Sequence, residues 1–228
     1  MLIIGLTGGI ACGKSAVSYT LKRLGAKVLD IDEVTHKLLE PEGALFDIYV
    51  QHFGKYIVAA DGTLNKKIIG EIIFNHPDER EWINSVAHPI LLNAARDFLE
   101  ICAAQGKEIA VVEVPLLFEA GWEHLFDEIW AVNVGRAQQI WRLIQRDNLT
   151  QQQAVARVNA QMPPEEVCRR ADIVINNKKT SGHTKKQVRA ALKGRLVRGK
   201  SFDPNKKAKY PLAKFVDEEA NSNEEVFV

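Results

Sequence analysis

The chain has 228 residues, 46% hydrophobic and 26% charged, a globular balance that argues against a disordered chain, a fibrous repeat and a disulfide scaffold. At this length roughly 70% of the extended surface can be buried without covalent staples. Thirty Lys and Arg against twenty-nine Asp and Glu leave a formal charge of +1, which gives no support to a general polyanion binder, so no nucleic-acid partner is expected.

In chain order, Leu2 to Thr7 is a short apolar run ending in glycines, as a buried parallel strand does. A helix is predicted from Lys14 to Leu24, with Val17, Leu21 and Leu24 on one face and Gly25 as its stop. Further strands are predicted at residues 27–30, 109–114, 128–134 and 173–175. The long interval between the second and third strands holds no good strand pattern. There, Ile68, Ile69, Ile72 and Ile73 make two i,i+4 pairs, and residues 78–104 read as helix interrupted near His88-Pro89. A second helical interval, Arg136 to Arg170, carries six Arg and three acids and is broken at Pro163-Pro164. From residue 197 the composition turns to charge runs, read as a solvated, mostly disordered tail. The alternation predicts an α/β fold with a mostly parallel five-stranded sheet, whose ligands sit at the carboxyl ends of the strands. Lys14, Asp30, Asp32, Glu113 and Asn176 fall at those ends.

Cys12, Cys102 and Cys168 are odd in number and widely spaced. They read as free thiols in a reducing cytoplasm. No apolar run reaches the ~20 residues of a membrane span, and the first residues lack the basic start of a signal peptide, so neither is expected.

Gly8-Gly9-Ile10-Ala11-Cys12-Gly13-Lys14-Ser15 fits G-x-x-x-x-G-K-[ST] at every fixed position, between a predicted strand and a predicted helix. Glycines let successive N–H groups wrap a phosphate, and the helix start adds its positive end. Lys14 suits the outer phosphates, and the Ser15 hydroxyl suits Mg²⁺. The dinucleotide fingerprint G-x-G-x-x-G does not fit. Neither the Asn-Lys-x-Asp motif of GTPases nor the signature of ABC-type ATPases occurs. A small kinase acting on a metabolite remains. It needs a base, a metal shell and mobile cations. Asp32 is the candidate base, or else the N-cap of a helix from Glu33; in extended chain Asp30 and Asp32 share one side. Arg142 and Arg146, four apart, share a helix face and are candidates to close over the phosphates and exclude water.

The segments Thr7-Gly8-Gly9-Ile10, Gly13-Lys14-Ser15, Asp30-Ile31-Asp32, Asp61-Gly62-Thr63-Leu64, Ile73-Phe74, His88-Pro89-Ile90, Pro115-Leu116-Leu117-Phe118-Glu119, Arg146-Asp147 and Ala171 to Asn177 occur in that order. Together they resemble the dephospho-coenzyme A kinase family, from Ile3 to about Leu196. The resemblance implies a P-loop NTPase three-layer sandwich with a helical substrate-binding insertion and a helical lid. It implies transfer of the ATP γ-phosphoryl to the ribose 3′-hydroxyl of dephospho-CoA, the last step of coenzyme A biosynthesis. Carried over, the core is residues 1–32, 108–135 and 171–196, the insertion 33–107 and the lid 136–170. Asp32 matches the base. Ala11 to Ala16, with Gly9, match the ATP-phosphate segment. Arg142 and Arg146 fall in the lid, and Asn176 and Asn177 lie toward the adenine. Lys66 and His88 fall on the acceptor side, although His88 is equally suited to a structural hydrogen bond.

Three departures stand out. Ala11-Cys12 replaces Gly-Ser, and Cys12 near a helix N-terminus is expected to have a lowered thiol pKa and to be open to alkylation. Lys66 stands where the family often has Arg, keeping a charge without the bidentate fork. Glu113 stands where Asp or an apolar residue is expected, either to orient a metal-bound water or to end the strand. The other readings are a nucleoside or nucleotide kinase and a non-catalytic ATP-binding regulator. The sequence leaves the oligomeric state open, with a monomer favoured.

Overall fold

The computed structural model describes residues 1–193 and Arg195; the tail expected from residue 197 lies outside them. The elements are β1 (Leu2–Thr7), α1 (Lys14–Arg23), β2 (Lys27–Asp30), α2 (Ile31–Leu38), α3 (Ala44–Phe53), α4 (Lys66–Asn75), α5 (Pro77–Ala104), β3 (Ile109–Glu113), β4 (Glu128–Asn133), α6 (Arg136–Asp147), α7 (Gln151–Asn159), α8 (Pro164–Arg170), β5 (Ile173–Asn176) and α9 (Ser181–Lys193). Each strand lies within a residue of its predicted span. The sheet order is β2-β3-β1-β4-β5. β1 pairs in parallel with β3 and β4, and β4 with β5, as expected of an α/β three-layer fold.

The described residues form two compact units: Met1–Val28 with those from Gly106 onward, and Leu29–Gln105. In the first, β1 alternates between two covered faces. Leu2, Ile4 and Leu6 join Val17 and Leu21 of α1 and Val188 and Leu192 of α9 in one core. Ile4 and Leu6 have no exposed surface, so each contributes on the order of 1.5–3 kcal/mol of burial. The opposite face meets the 3-10 turn at Trp122–Leu125, and α8 packs on β4. There Gly5 has no room for a side chain, since a Cβ would lie 2.6 Å from Phe126 Cδ2 and 2.8 Å from Leu117 Cδ1. α1 ends as predicted. Gly25 takes φ 93°, its N–H reaches Lys22 O at 3.1 Å, and the Ala26 N–H reaches Leu21 O at 3.1 Å, the paired bonds of a Schellman stop.

The second unit is helical, as its sequence predicts. α2 begins two residues earlier than expected, at Ile31, with Asp30 as N-cap: its Oδ1 accepts the Asp32 N–H at 2.9 Å. Asp32 is therefore in the first turn of a helix. The expectation that Asp30 and Asp32 project together from extended chain is corrected, as is the alternative that Asp32 itself is the cap. α5 runs unbroken for 28 residues with Pro89 inside it, so the predicted interruption at His88-Pro89 does not occur. Proline there removes one backbone donor, and buried Ile83, Ala87, Leu91, Ala95 and Leu99 hold the helix on both sides of it. Near the start of α5, His52 stacks on Trp82 with ring centroids 3.5 Å apart and bonds Glu79 at 2.7 Å. Burial pushes the neighbouring Tyr49 phenol up to about 12.

Candidate active site

The loop between β1 and α1 runs from Gly8 to Gly13. Gly13, the N-cap of α1, takes φ 88° and offers no side chain to the first helical amides. A Cβ there would lie 2.3 Å from Asn177 Nδ2, so the position demands glycine for both conformation and space. The first amides of a helix have no acceptor within it and attract anions. Lys14 folds back so that its ammonium donates to Gly8 O at 3.1 Å. Ser15 and Ala16 are exposed, and the Ala16 N–H is bonded to Gly13 O at 3.2 Å.

The outer side of the loop is held from α6, from the α7–α8 connection and from the end of β5. Gln139 Nε2 donates to Ile10 O at 3.0 Å, and Gln161 Oε1 accepts the Ile10 N–H at 2.7 Å. Arg142 donates to Ala11 O at 3.4 Å, to Cys12 O at 3.3 Å and to Asn177 O at 3.1 Å. Asn177, itself buried, donates from Nδ2 to Cys12 O at 2.9 Å and accepts from Thr184 Oγ1 at 2.7 Å. Of the residues singled out in the sequence, the structure thus brings Gly9, Ala11, Cys12, Gly13, Lys14, Arg142 and Asn177 together. Asn176 turns outward, its Oδ1 accepting the Lys178 N–H at 3.1 Å.

Arg142 and Arg146 were expected to act as a pair, and they part here. Arg142 binds loop carbonyls. Arg146 makes two bonds to Asp147, at 2.7 and 3.1 Å, and Arg157 joins the same carboxylate at 3.3 Å. The bonds from Arg146 hold the Asp147 carboxyl below the usual carboxylate range. A same-face argument fixes where two side chains start, and a neighbouring acid can still capture one of them.

The expectation for Cys12 is overturned. Cys12 is 1% exposed, in the core under the loop. Burial pushes its pKa up, outweighing the pull of Lys14. Being near a helix start does not activate a thiol that water and reagents cannot reach. Iodoacetamide is therefore expected to leave Cys12 unlabelled in the native protein at neutral pH, with or without ATP. Half-exposed Cys168 is expected to react first. Mass spectrometry of the labelled peptides checks this, and labelling of Cys12 at the rate of a free thiol would contradict it. Glu113 is also buried, pairs with Leu6 in the β-ladder and accepts a bond from Ser18 one turn beyond Ser15.

Asp32, Lys66 and His88 belong to the helical unit. Asp32 is exposed on the first turn of α2. Lys66, at the start of α4, has its Nζ 2.7 Å from His36 Nε2. His88 is half-buried on α5, and burial lowers its pKa. Sequence reasoning missed Gln139, Gln161 and Thr184. The one available signal was that Gln139 stands three residues before Arg142, on the same face of an amphipathic helix.

Among the described residues no helix is long and apolar enough to cross a membrane. The family model for dephospho-CoA kinase matches residues 2–182. The dephospho-CoA kinase of Symbiobacterium thermophilum is 40% identical over 191 residues, 84% of this chain and 80% of that one. That of Streptococcus pneumoniae serotype 4 is 40% identical over 192 residues, 84% and 95% of the two chains. Among solved structures, a Thermus thermophilus protein superposes with TM-score 0.73 at 27% identity, covering 85% of this chain and 96% of its own. Dephospho-CoA kinase from Campylobacter jejuni does so with TM-score 0.62 at 26% identity, over 84% and 95%. With its phosphate loop, its three-layer sheet and these relatives, the chain belongs to the dephospho-CoA kinase family.

Proposed function

We propose that the chain transfers the γ-phosphoryl group of ATP to the ribose 3′-hydroxyl of dephospho-CoA, giving CoA and ADP, in the cytoplasm and as a monomer. The observation that carries this reading is the loop itself. A helix start without a side-chain cap, the lysine at its first position and carbonyls drawn to the outer side form a cradle for a polyphosphate. The amides of Ala11, Gly13, Lys14 and Ser15 serve as phosphate donors, while the Cys12 N–H is taken by Gly9 O at 3.2 Å within the loop. Lys14 offsets the charge that develops between the β- and γ-phosphates. Residues 136–170 act as the lid, and the Leu29–Gln105 unit takes the acceptor through Lys66 and His88. Asn176 and Asn177 border the nucleoside end.

Asp32 takes the proton of the 3′-hydroxyl. The freed oxygen attacks the γ-phosphorus, the bond to the β-phosphate oxygen breaks, and ADP leaves with both electrons of that bond. The exposed Ser15 hydroxyl suits a Mg²⁺ ion that arrives on ATP. Such an ion takes one or two protein oxygens and completes its shell with phosphates and water. When bound, it neutralises phosphate charge.

An assay of ADP release over a panel of acceptors tests the substrate. Dephospho-CoA is expected to exceed adenosine and the nucleoside monophosphates by at least 10²-fold in kcat/KM. A monophosphate as the best acceptor would make the chain a nucleotide kinase. Tight ATP binding with no phosphorylated acceptor would make it a regulator.

A further inference from the structure

Inside the loop the Cys12 N–H bonds Gly9 O at 3.2 Å; the directions of the Ala11 and Gly13 amides are set from outside it. Across a trans peptide the carbonyl of one residue and the N–H of the next point in opposite directions, and this chain has no cis peptide. A donor that draws a carbonyl outward therefore turns the following amide inward. Gln139 does this at Ile10 O, and Asn177 and Arg142 do it at Cys12 O. The amides so directed are those of Ala11 and Gly13. The Ile10 peptides are gripped on both sides, with Gln161 accepting the N–H.

Two further observations single out Gln139. It is 2% exposed, and its Oε1 has no hydrogen-bond partner among the described residues. A buried acceptor of that kind costs stability, and an apolar side chain of similar volume would remove the cost. Leucine would remove that cost and give up the bond to Ile10 O, so the two changes offset in part. The second observation concerns Gly9. A Cβ there would lie 2.2 Å from Gln139 Nε2 and 3.6 Å from Gln161 Oε1, so the glycine is the space through which the carboxamides reach the chain.

We propose that Gln139 is a positioning residue of the phosphate loop, acting with Gln161 through Ile10 to aim the Ala11 amide at the nucleotide. This deepens the phosphoryl-transfer reading and rests on it. Gln139 touches no reacting atom; its effect passes through the backbone.

The experiment uses the full chain and three readouts: calorimetric binding of ATP without acceptor, steady-state kinetics and thermal melting. Gln139→Leu is expected to weaken ATP binding at least tenfold and to raise KM for ATP in step. KM for dephospho-CoA is expected to stay within twofold, and Tm to stay close to the native value, since removing the unpaired Oε1 offsets the lost bond to Ile10 O. Gly9→Ala is expected to act in the same direction, because it displaces the same carboxamide. Gln161→Leu combined with Gln139→Leu is expected to cost less than the product of the single effects, since both work through one residue. ATP binding by Gln139→Leu within twofold of the native protein would overturn the proposal. So would a joint decline of Tm and of affinity for both substrates, the mark of general loosening. Because ATP binding is read without acceptor, the shift can appear even if dephospho-CoA is not phosphorylated; the reaction assignment would then fail while the loop assignment stood.

Discussion

Lys14→Ala is expected to lower kcat by about 10³-fold, the range seen when a preorganised charge or donor is removed from a phosphoryl or acyl transfer site. Two costs must be separated. Among the described residues the ammonium donates to Gly8 O, and losing that bond is worth about 1 kcal/mol. That is small beside the ~4 kcal/mol that a 10³-fold loss represents. The fold should therefore survive while catalysis does not. Single-turnover kinetics alongside thermal melting separate the two. Near-native turnover would remove Lys14 from the transition state, and a collapse of Tm would make it a structural residue.

The second large effect is at Asp32. Asp32→Asn is expected to bind ATP nearly normally and to slow transfer by about 10²-fold or more. The structure separates this substitution from the helix cap. The cap of α2 is Asp30, which accepts from the backbone of residue 32, so the cap does not depend on the side chain at 32. Asp30→Ala should behave in the opposite way, costing about 1 kcal/mol of stability as lost caps do. If Asp32→Asn turned over at the native rate, the proton would leave by another route.

The three central strands were legible because β1, β3 and β4 are apolar runs buried almost throughout, a signal that burial on both faces makes nearly continuous. The loop was legible because its chemistry needs backbone, so glycine spacing marks it. What stayed hidden depended on side-chain reach. Nothing in the sequence says that Asp147 captures Arg146 while Arg142 turns to the loop carbonyls. A carboxamide carries no motif, so nothing in the sequence marks Gln139 or Gln161 as a contact of the loop. Cys12 was misread because helix position was weighed without burial, and its place in the core under the loop decides the outcome. Pro89 was misread because the local steric rule was applied without the apolar face that carries α5 through it.

Phosphorus NMR of the product formed from dephospho-CoA and ATP tests the account most directly. One new phosphomonoester on the ribose 3′-oxygen, appearing in equal amount with ADP, is the predicted result. ADP accompanied by inorganic phosphate, or a phosphate at any other oxygen, would contradict it.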